Sequence, residues 1–300
     1  MQHVISITDL SADQIQAVIK RAIELKTELR QAGGHTPMPL PGKSLAMLFD
    51  KASLRTRLSF EVGMTQLGGH AAYLAPDDIK LGVRETIHDS ATVISSMADV
   101  IVARISSHEA VQELAEHANV PVINAMTDLE HPCQALADLQ TIYERFGKFA
   151  GLEIAYLGDA HANVINSLVL AADRLGMQVR IAAPAGYEMA PEIIKQTEYV
   201  EQSSNPEVAV KGAHIVVTDT WVSMGKETER AERLQVLAPF QVNQKLMKLA
   251  AKGAIFMHCL PAYRGKEVTA EVIDGPESAV FAEAENRMHA AKALLLHVLV

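Results

Sequence analysis

Apolar positions along the chain alternate between two periods. Ile15, Val18, Ile19, Ala22 and Ile23 recur at three-to-four spacing behind a candidate cap at Ser11, which predicts a helix over 11–31. GGHTPMPLPGK (33–43) is rich in Gly and Pro and predicts a loop. SLAMLF (44–49) is an apolar run of strand length. Helical spacing returns over 53–67, with Leu54, Leu58 and Val62 on one stripe, and over 85–97. DVIVARI (99–105) and PVINA (121–125) predict buried strands, with a helix over 108–118 between them. HPCQALADLQTIYERFG (131–147) predicts a long helix ending at a glycine. Beyond it LEIAYLG, QVRIAAP, AHIVVTD and GAIFMHCLP are four strand candidates separated by helical stretches, and 285–300 predicts a final helix.

Continuous apolar strands alternating with helices imply parallel sheets covered on both faces. The expected fold class is α/β, with two domains, each a parallel sheet flanked by helices. The active site is expected in the interdomain cleft, at the carboxyl ends of strands. A length of 300 residues agrees with two domains. The boundary is expected in the long helix, with 1–140 as the first domain and 141–282 as the second.

Composition narrows the function classes. Lys plus Arg number 27 against 36 Asp plus Glu, and the net charge of −9 argues against a nucleic-acid partner. Hydrophobic residues at 49% argue against disorder and supply a large core. The two cysteines, Cys133 and Cys259, exclude a disulfide framework and a cysteine-pair zinc site. No window approaches about 18 uninterrupted apolar residues, and the start MQHVISITDLSADQIQ lacks a signal-peptide pattern. The expectation is a cytoplasmic protein with no membrane partner.

FDKASLRTRLSFE (49–61) carries the sharpest chemistry. A strand ends and Ser53 opens a helix, whose first amides form an anion site. Ser53 and Thr56 add hydroxyls, and Arg55 and Arg57 add forked donors matched to phosphate. The plainer alternative is a capped helix with two solvated arginines. Two Arg in a first turn oppose the helix dipole, which favours an anion that neutralises them. GxxxxGK[ST] is absent, and GDAHAN (158–163) does not satisfy GxGxxG, which weighs against a dinucleotide oxidoreductase. Arg104, near the end of an apolar run, needs a partner or a cleft, and a structural ion pair would serve. His131, Pro132 and Gln134 open the long helix, where the dipole favours a neutral imidazole; a simple cap is the alternative. Asp219 starts DTWVSMG (219–225). The charged KETERAERLQ that follows is expected to be mobile, which makes Ser223, Met224 and Gly225 a candidate lid. In HCLPA (258–262), Cys259 is either a packing residue or a reactive group, while Cys133 reads as packing. Arg287 is placed at the start of the last helix and by itself says little.

Together, SLRTR (53–57), HPCQ (131–134), DTWVSMG (219–225) and HCLP (258–261), with LGGH, KLGVRET, SSMADVIVAR and AENRMHAAKA, resemble the carbamoyltransferases, and within them the ornithine-type branch. The resemblance covers nearly the whole chain. It implies a carbamoyl-phosphate domain followed by an amino-acid domain, with the last helix, from about 283, folding back on the first. It implies transfer of a carbamoyl group from carbamoyl phosphate to the δ-amine of L-ornithine, giving L-citrulline and phosphate, with no metal and no cofactor. It also implies a homotrimer or an assembly of trimers.

Carried over position by position, Ser53, Leu54, Arg55, Thr56, Arg104, His131, Gln134, Cys259, Leu260 and Arg287 would hold carbamoyl phosphate. Asn163, Asp219, Ser223 and Met224 would hold ornithine. Arg55, Arg104, His131 and Cys259 would carry the chemistry. Two positions depart from the family pattern. Leu54 stands where many relatives have Thr, so only its amide can serve. Lys80 stands where relatives often have Gln or His, and is expected to reach carbamoyl phosphate in a neighbouring subunit. Rival readings are a carbamoyltransferase for putrescine or an N-acylated ornithine, and a non-catalytic ligand-binding member.

Overall fold

The structure is a computed structural model that describes residues 2–79, 81–222 and 227–300. Ser11 accepts the Gln14 amide at 3.2 Å while the Gln14 side chain accepts the Ser11 amide at 2.9 Å. This reciprocal cap starts the helix Ala12–Ala32. The chain forms two structural units, residues 1–140 with 285–300, and residues 141–284.

The first unit holds a sheet of four parallel strands: β1 (Ser44–Phe49), β2 (His70–Leu74), β3 (Val100–Arg104) and β4 (Val122–Met126), in the order β2-β1-β3-β4. The chain moves from β1 outward to β2, then crosses to the other side of β1. The carboxyl ends of β1 and β3 therefore flank a topological switch point, where ligands of such sheets bind. Register places Phe49 beside Arg104 there. Ala46, Leu48, Ile101, Ala103, Val111 and Leu114 pack as a core between the sheet and its helices.

The second unit repeats the logic with five parallel strands: β5 (Glu153–Leu157), β6 (Gln178–Ala182), β7 (Val200–Ser203), β8 (Ile215–Thr218) and β9 (Ile255–Met257), in the order β7-β6-β5-β8-β9. Its switch point lies between β5 and β8. Leu157, Val216, Phe240, Phe256 and Val272 form its core.

Two strands fall outside the sequence expectation. β2 and β7 are edge strands, and their mixed burial leaves no apolar run to read. The other two edges are closed by single-residue bridges, Val4 on β4 and Ser278 on β9, which take up backbone groups an open edge would expose.

The helix Leu54–Gln66 corrects a second expectation. Its apolar stripe does not face the core: Leu54 is 70% exposed, Leu58 50% and Val62 36%. The buried face carries Thr56, Ser59, Phe60, Gly63 and Met64. A Cβ at Gly63 would lie 3.1 Å from the Lys292 side chain, so the neighbouring helix packs closely against the helix at this glycine.

The C-terminal helix is longer than expected, Val280–Leu299, and Arg287 lies inside it rather than at its start. Lys26 donates to Asn286 at 2.6 Å and Arg30 to Glu285 at 2.9 Å, which ties this helix to Ala12–Ala32. Lys292 donates to Gln66 at 2.9 Å, and burial holds its ammonium down to about 8. Among the described residues no helix is long and apolar enough to cross a membrane.

Candidate active site

The first unit gathers its candidate residues from four segments. Ser53 is the cap of Leu54–Gln66 and accepts the Thr56 amide at 3.3 Å. This points the helix N-terminus toward the ends of β1 and β3, where its partial positive charge attracts an anion. Asp50 accepts the Ser106 amide at 2.6 Å and donates its own amide to the Arg104 carbonyl at 3.0 Å, so the two strand ends are tied together.

Thr56 is the hub. Its side chain is buried, and its Oγ1 accepts from Arg104 at 3.3 Å and from Arg287 at 3.1 Å. Arg287 also donates to Gln134 Oε1, and Gln134 donates to Asp138 at 2.7 Å. Gln134 and Asp138 are four apart on the helix Pro132–Phe146 and so share a face. Asp138 was not among the expected residues, and that spacing is the signal that points to it.

His131 accepts the Gln134 and Ala135 amides on its carbonyl at 3.0 and 3.2 Å, as the residue that opens this helix. Its imidazole is held well below the usual range, first by burial and then by the Arg287, Arg104 and Arg55 guanidiniums. It is therefore neutral at pH 7 and can donate one N–H without adding charge. Cys133 donates to the Asn124 carbonyl at 3.4 Å, and burial pushes its thiol up to about 12, as a packing residue.

Arg57 stands apart from this group. It pairs with Glu61 at 2.8 Å and lies 4.0 Å over the Tyr73 ring, on the exposed side of its helix. It is a surface arginine, one of the two alternatives the sequence left open for it.

The second unit builds from the ends of β5, β8 and β9. Register sets Val217 beside Met257, so the segments after β8 and β9 emerge together. They are joined twice: the Cys259 thiol donates to Asp219 Oδ1 at 3.2 Å, and Thr220 Oγ1 donates to the Pro261 carbonyl at 2.6 Å. Asp219 also accepts the Thr220 amide at 2.7 Å. Leu260 has φ 58, left-handed backbone that a branched residue adopts at a cost of about 1–3 kcal/mol. Asn163 starts the helix Asn163–Arg174, just after β5.

The segment after β8 is braced from behind. Arg233 donates to the Trp221 carbonyl at 2.6 Å and to the Asp159 carboxylate. Gly158, at φ 125, allows Trp221 to approach: a Cβ there would meet its indole nitrogen at 3.3 Å. The stretch expected to be mobile thus includes a buried arginine in the helix Arg230–Leu237. Arg233 was missed because a charged run reads as a solvated face. Lys80, Ser223 and Met224, and with them Gly225, lie outside the described residues.

Asp219, His258 and Cys259 bring a carboxylate, a ring nitrogen and a thiol within 4.8 Å of one another, close enough to hold a cation. The donor set does not fit one. His258 Nδ1 already accepts the Leu260 amide at 2.9 Å, and its ring is wholly buried. The first unit can thus bind a small, strongly anionic group beside a neutral donor. The second offers a carboxylate and a thiol suited to an amine.

Known proteins match this division. Residues 2–144 match the family described as aspartate/ornithine carbamoyltransferase, carbamoyl-P binding domain, and residues 150–298 match its Asp/Orn binding domain. The chain is 49% identical over 307 residues to an ornithine carbamoyltransferase of Halalkalibacterium halodurans, covering 100% of this chain and 95% of that protein. It is 50% identical over 299 residues to one of Nitrosococcus oceani, covering 99% and 97%. The solved ornithine carbamoyltransferase of Pyrococcus furiosus superposes with a TM-score of 0.96 at 45% identity, covering 99% of this chain and 97% of that one. The chain belongs to the aspartate/ornithine carbamoyltransferase family.

Proposed function

We propose that this protein transfers the carbamoyl group of carbamoyl phosphate to the δ-amine of L-ornithine, giving L-citrulline and phosphate. The observation that carries the reading is the convergence of Arg104 and Arg287 on the buried Thr56 hydroxyl, in the first turn of the helix that Ser53 caps. Two forked guanidiniums beside a helix N-terminus match the oxygens of a phosphate.

In this reading the amides after Ser53, together with Ser53, Arg55 and Thr56, hold the phosphate. Arg104, His131, Gln134 and Arg287 hold the carbamoyl end, and Cys259 and Leu260 keep their expected role on the strength of the HCLP motif alone. Asn163 and Asp219 receive the amino-acid end of ornithine. Lys80, Ser223 and Met224 keep their expected roles on the strength of the motifs alone. The neutral δ-nitrogen attacks the carbamoyl carbon, and the C=O electrons move to oxygen. Arg104 and His131 donate to that oxygen; its electrons then re-form C=O as the C–O bond to phosphate breaks, the attacking nitrogen gives up one proton to the departing phosphate, and the guanidiniums take up the leaving charge. A donor aimed at the developing oxyanion contributes roughly 3 kcal/mol. An alkyl amine titrates near about 10.4, so the site must also select the unprotonated form.

The reading carries with it a cytoplasmic role in arginine synthesis or in arginine and ornithine metabolism, and a homotrimer or an assembly of trimers. The exposed stripe of Leu54, Leu58 and Val62, placed beside the anion site, supports a second copy of the chain on this face. The test is product formation from carbamoyl phosphate with ornithine, N-acetylornithine, putrescine and aspartate as parallel acceptors. Preference for ornithine is expected. Preference for another acceptor would retain the phosphate half of the reading and overturn the ornithine half.

A further inference from the structure

His258 has no part in the scheme above, yet it is one of the most completely enclosed polar residues of the second unit. Its side chain is 0% exposed, as is that of Glu267. Its two ring nitrogens and its backbone amide face the segment carrying Cys259 and Leu260 or a buried carboxylate. Its Nδ1 accepts the Leu260 amide at 2.9 Å, a link from a side chain to the backbone two residues on. Asn and Asp side chains make the same turn with their Oδ1 atoms. The link closes around Leu260, whose φ of 58 is the one positive value of a non-glycine among the described residues. An acceptor at this place holds a backbone that Leu does not adopt unaided.

An imidazole does one thing more than an Asn. Because Nδ1 accepts, the proton of the neutral ring sits on Nε2. That nitrogen lies 3.6 Å from Glu267 Oε1, and Glu267 also accepts the Tyr263 amide. The His258 amide donates to Glu283 at 2.9 Å, which anchors the end of β9. The order from the buried side outward is therefore a carboxylate, an imidazole, the Leu260 amide, and then the Cys259 thiol on Asp219.

We propose that His258 is a positioning residue for the transfer: its Nδ1 locks the Leu260 backbone, and through it the Cys259 thiol, in the geometry the amine-side half-site needs, while the charge of the buried Glu267 carboxylate, 3.6 Å from Nε2 and beyond hydrogen-bond distance, favours the tautomer that leaves Nδ1 able to accept. The inference rests on the functional reading given above.

The test compares His258→Leu, His258→Asn, Glu267→Gln and the double variant His258→Asn/Glu267→Gln in citrulline formation, with inorganic phosphate affinity and thermal midpoint measured alongside. His258→Leu is expected to lower kcat or raise the KM for ornithine by ten-fold or more, with phosphate affinity within two-fold of the parent. His258→Asn restores the acceptor and is expected within about three-fold of the parent. Glu267→Gln is expected to be impaired in the parent and silent in the His258→Asn background, because Asn has no tautomer to fix. A folded His258→Leu variant with parent kinetics overturns the proposal. So does a folded His258→Asn variant that is no better than His258→Leu. If His258→Leu does not fold, the decision falls to the double variant: additive effects of His258→Asn and Glu267→Gln overturn the proposal. A parent protein that makes no citrulline from ornithine is a different outcome, and rejects the functional reading instead.

Discussion

The two half-sites use opposite materials. In the first unit the side chains are long, charged and drawn from positions far apart: Thr56 meets Arg287 across 231 residues. In the second, the partners are short side chains and backbone groups on neighbouring strand ends, Cys259 on Asp219 and Thr220 on the Pro261 carbonyl. The difference follows from the ligands each can serve. Phosphate is held by permanent charges that cannot lose their protons, and guanidinium supplies them. The α-ammonium of an amino acid needs one carboxylate, while a δ-amine that must react as the free base would be held protonated by a dense carboxylate cluster, so a single carboxylate suits both.

The largest effect that sharpens this contrast is a reciprocal pair of substitutions. Arg104→Gln is expected to lower kcat by 10²–10³-fold, the scale of removing one oxyanion donor, and to weaken carbamoyl phosphate. Asp219→Asn is expected to raise the KM for ornithine by ten-fold or more while leaving phosphate affinity within two-fold of the parent. Steady-state kinetics with each substrate varied in turn would check both. Equal damage to both substrates from either change would break the division into two half-sites.

The next effect concerns acid. The histidines whose imidazoles are held below the ordinary value are His3, His131, His289 and His297, and all belong to the first unit. For His289, burial and the neighbouring Lys292 and Lys26 bring the value from 6.5 to about 4. The unfolded chain therefore takes the proton first. Stability from this group is constant above about pH 6.5 and falls as pH drops from 6.5 toward 4, by about 3 kcal/mol at most. Denaturant unfolding at pH 7 and pH 4.5 is expected to show the loss, and His289→Gln to reduce it. Equal acid loss with and without His289 would remove it as a cause.

The smallest effect is Arg57→Ala. Arg57 is exposed and engaged with Glu61 and Tyr73, so activity and phosphate affinity are expected within two-fold of the parent. A loss comparable to that of Arg104→Gln would place Arg57 in the phosphate site after all.

The same contrast explains what was legible beforehand. β1, β3, β5 and β8 were readable because a parallel strand buried on both faces is an unbroken apolar run. β2 and β7 were not, because an edge strand is half solvated and carries no such run. The stripe Leu54, Leu58 and Val62 had the right period and the wrong direction. Periodicity identifies a helix but not which side its neighbours occupy, and here the inner face had to carry Thr56 and Ser59. In the candidate site, residue types at strand and helix ends were visible as chemistry. Of their supports, Asp138 was signalled only by its spacing from Gln134 and His258 only by its place in HCLP, while Arg233 and Glu267 were not visible, since a buried charge is identical in sequence to a solvated one.

The sequence by itself determined the α/β alternation, the helix caps and the kinds of chemistry at the ends of the elements, because these depend on residues within a few positions of one another. Only the tertiary structure decided that Arg104 and Arg287 share one hydroxyl, that the helix beginning at Leu54 turns its Leu54, Leu58 and Val62 stripe outward, and that a fully enclosed imidazole holds Leu260. Those outcomes depend on which segments the sheet order and the C-terminal helix bring together, and on the burial that makes each polar group find a partner there.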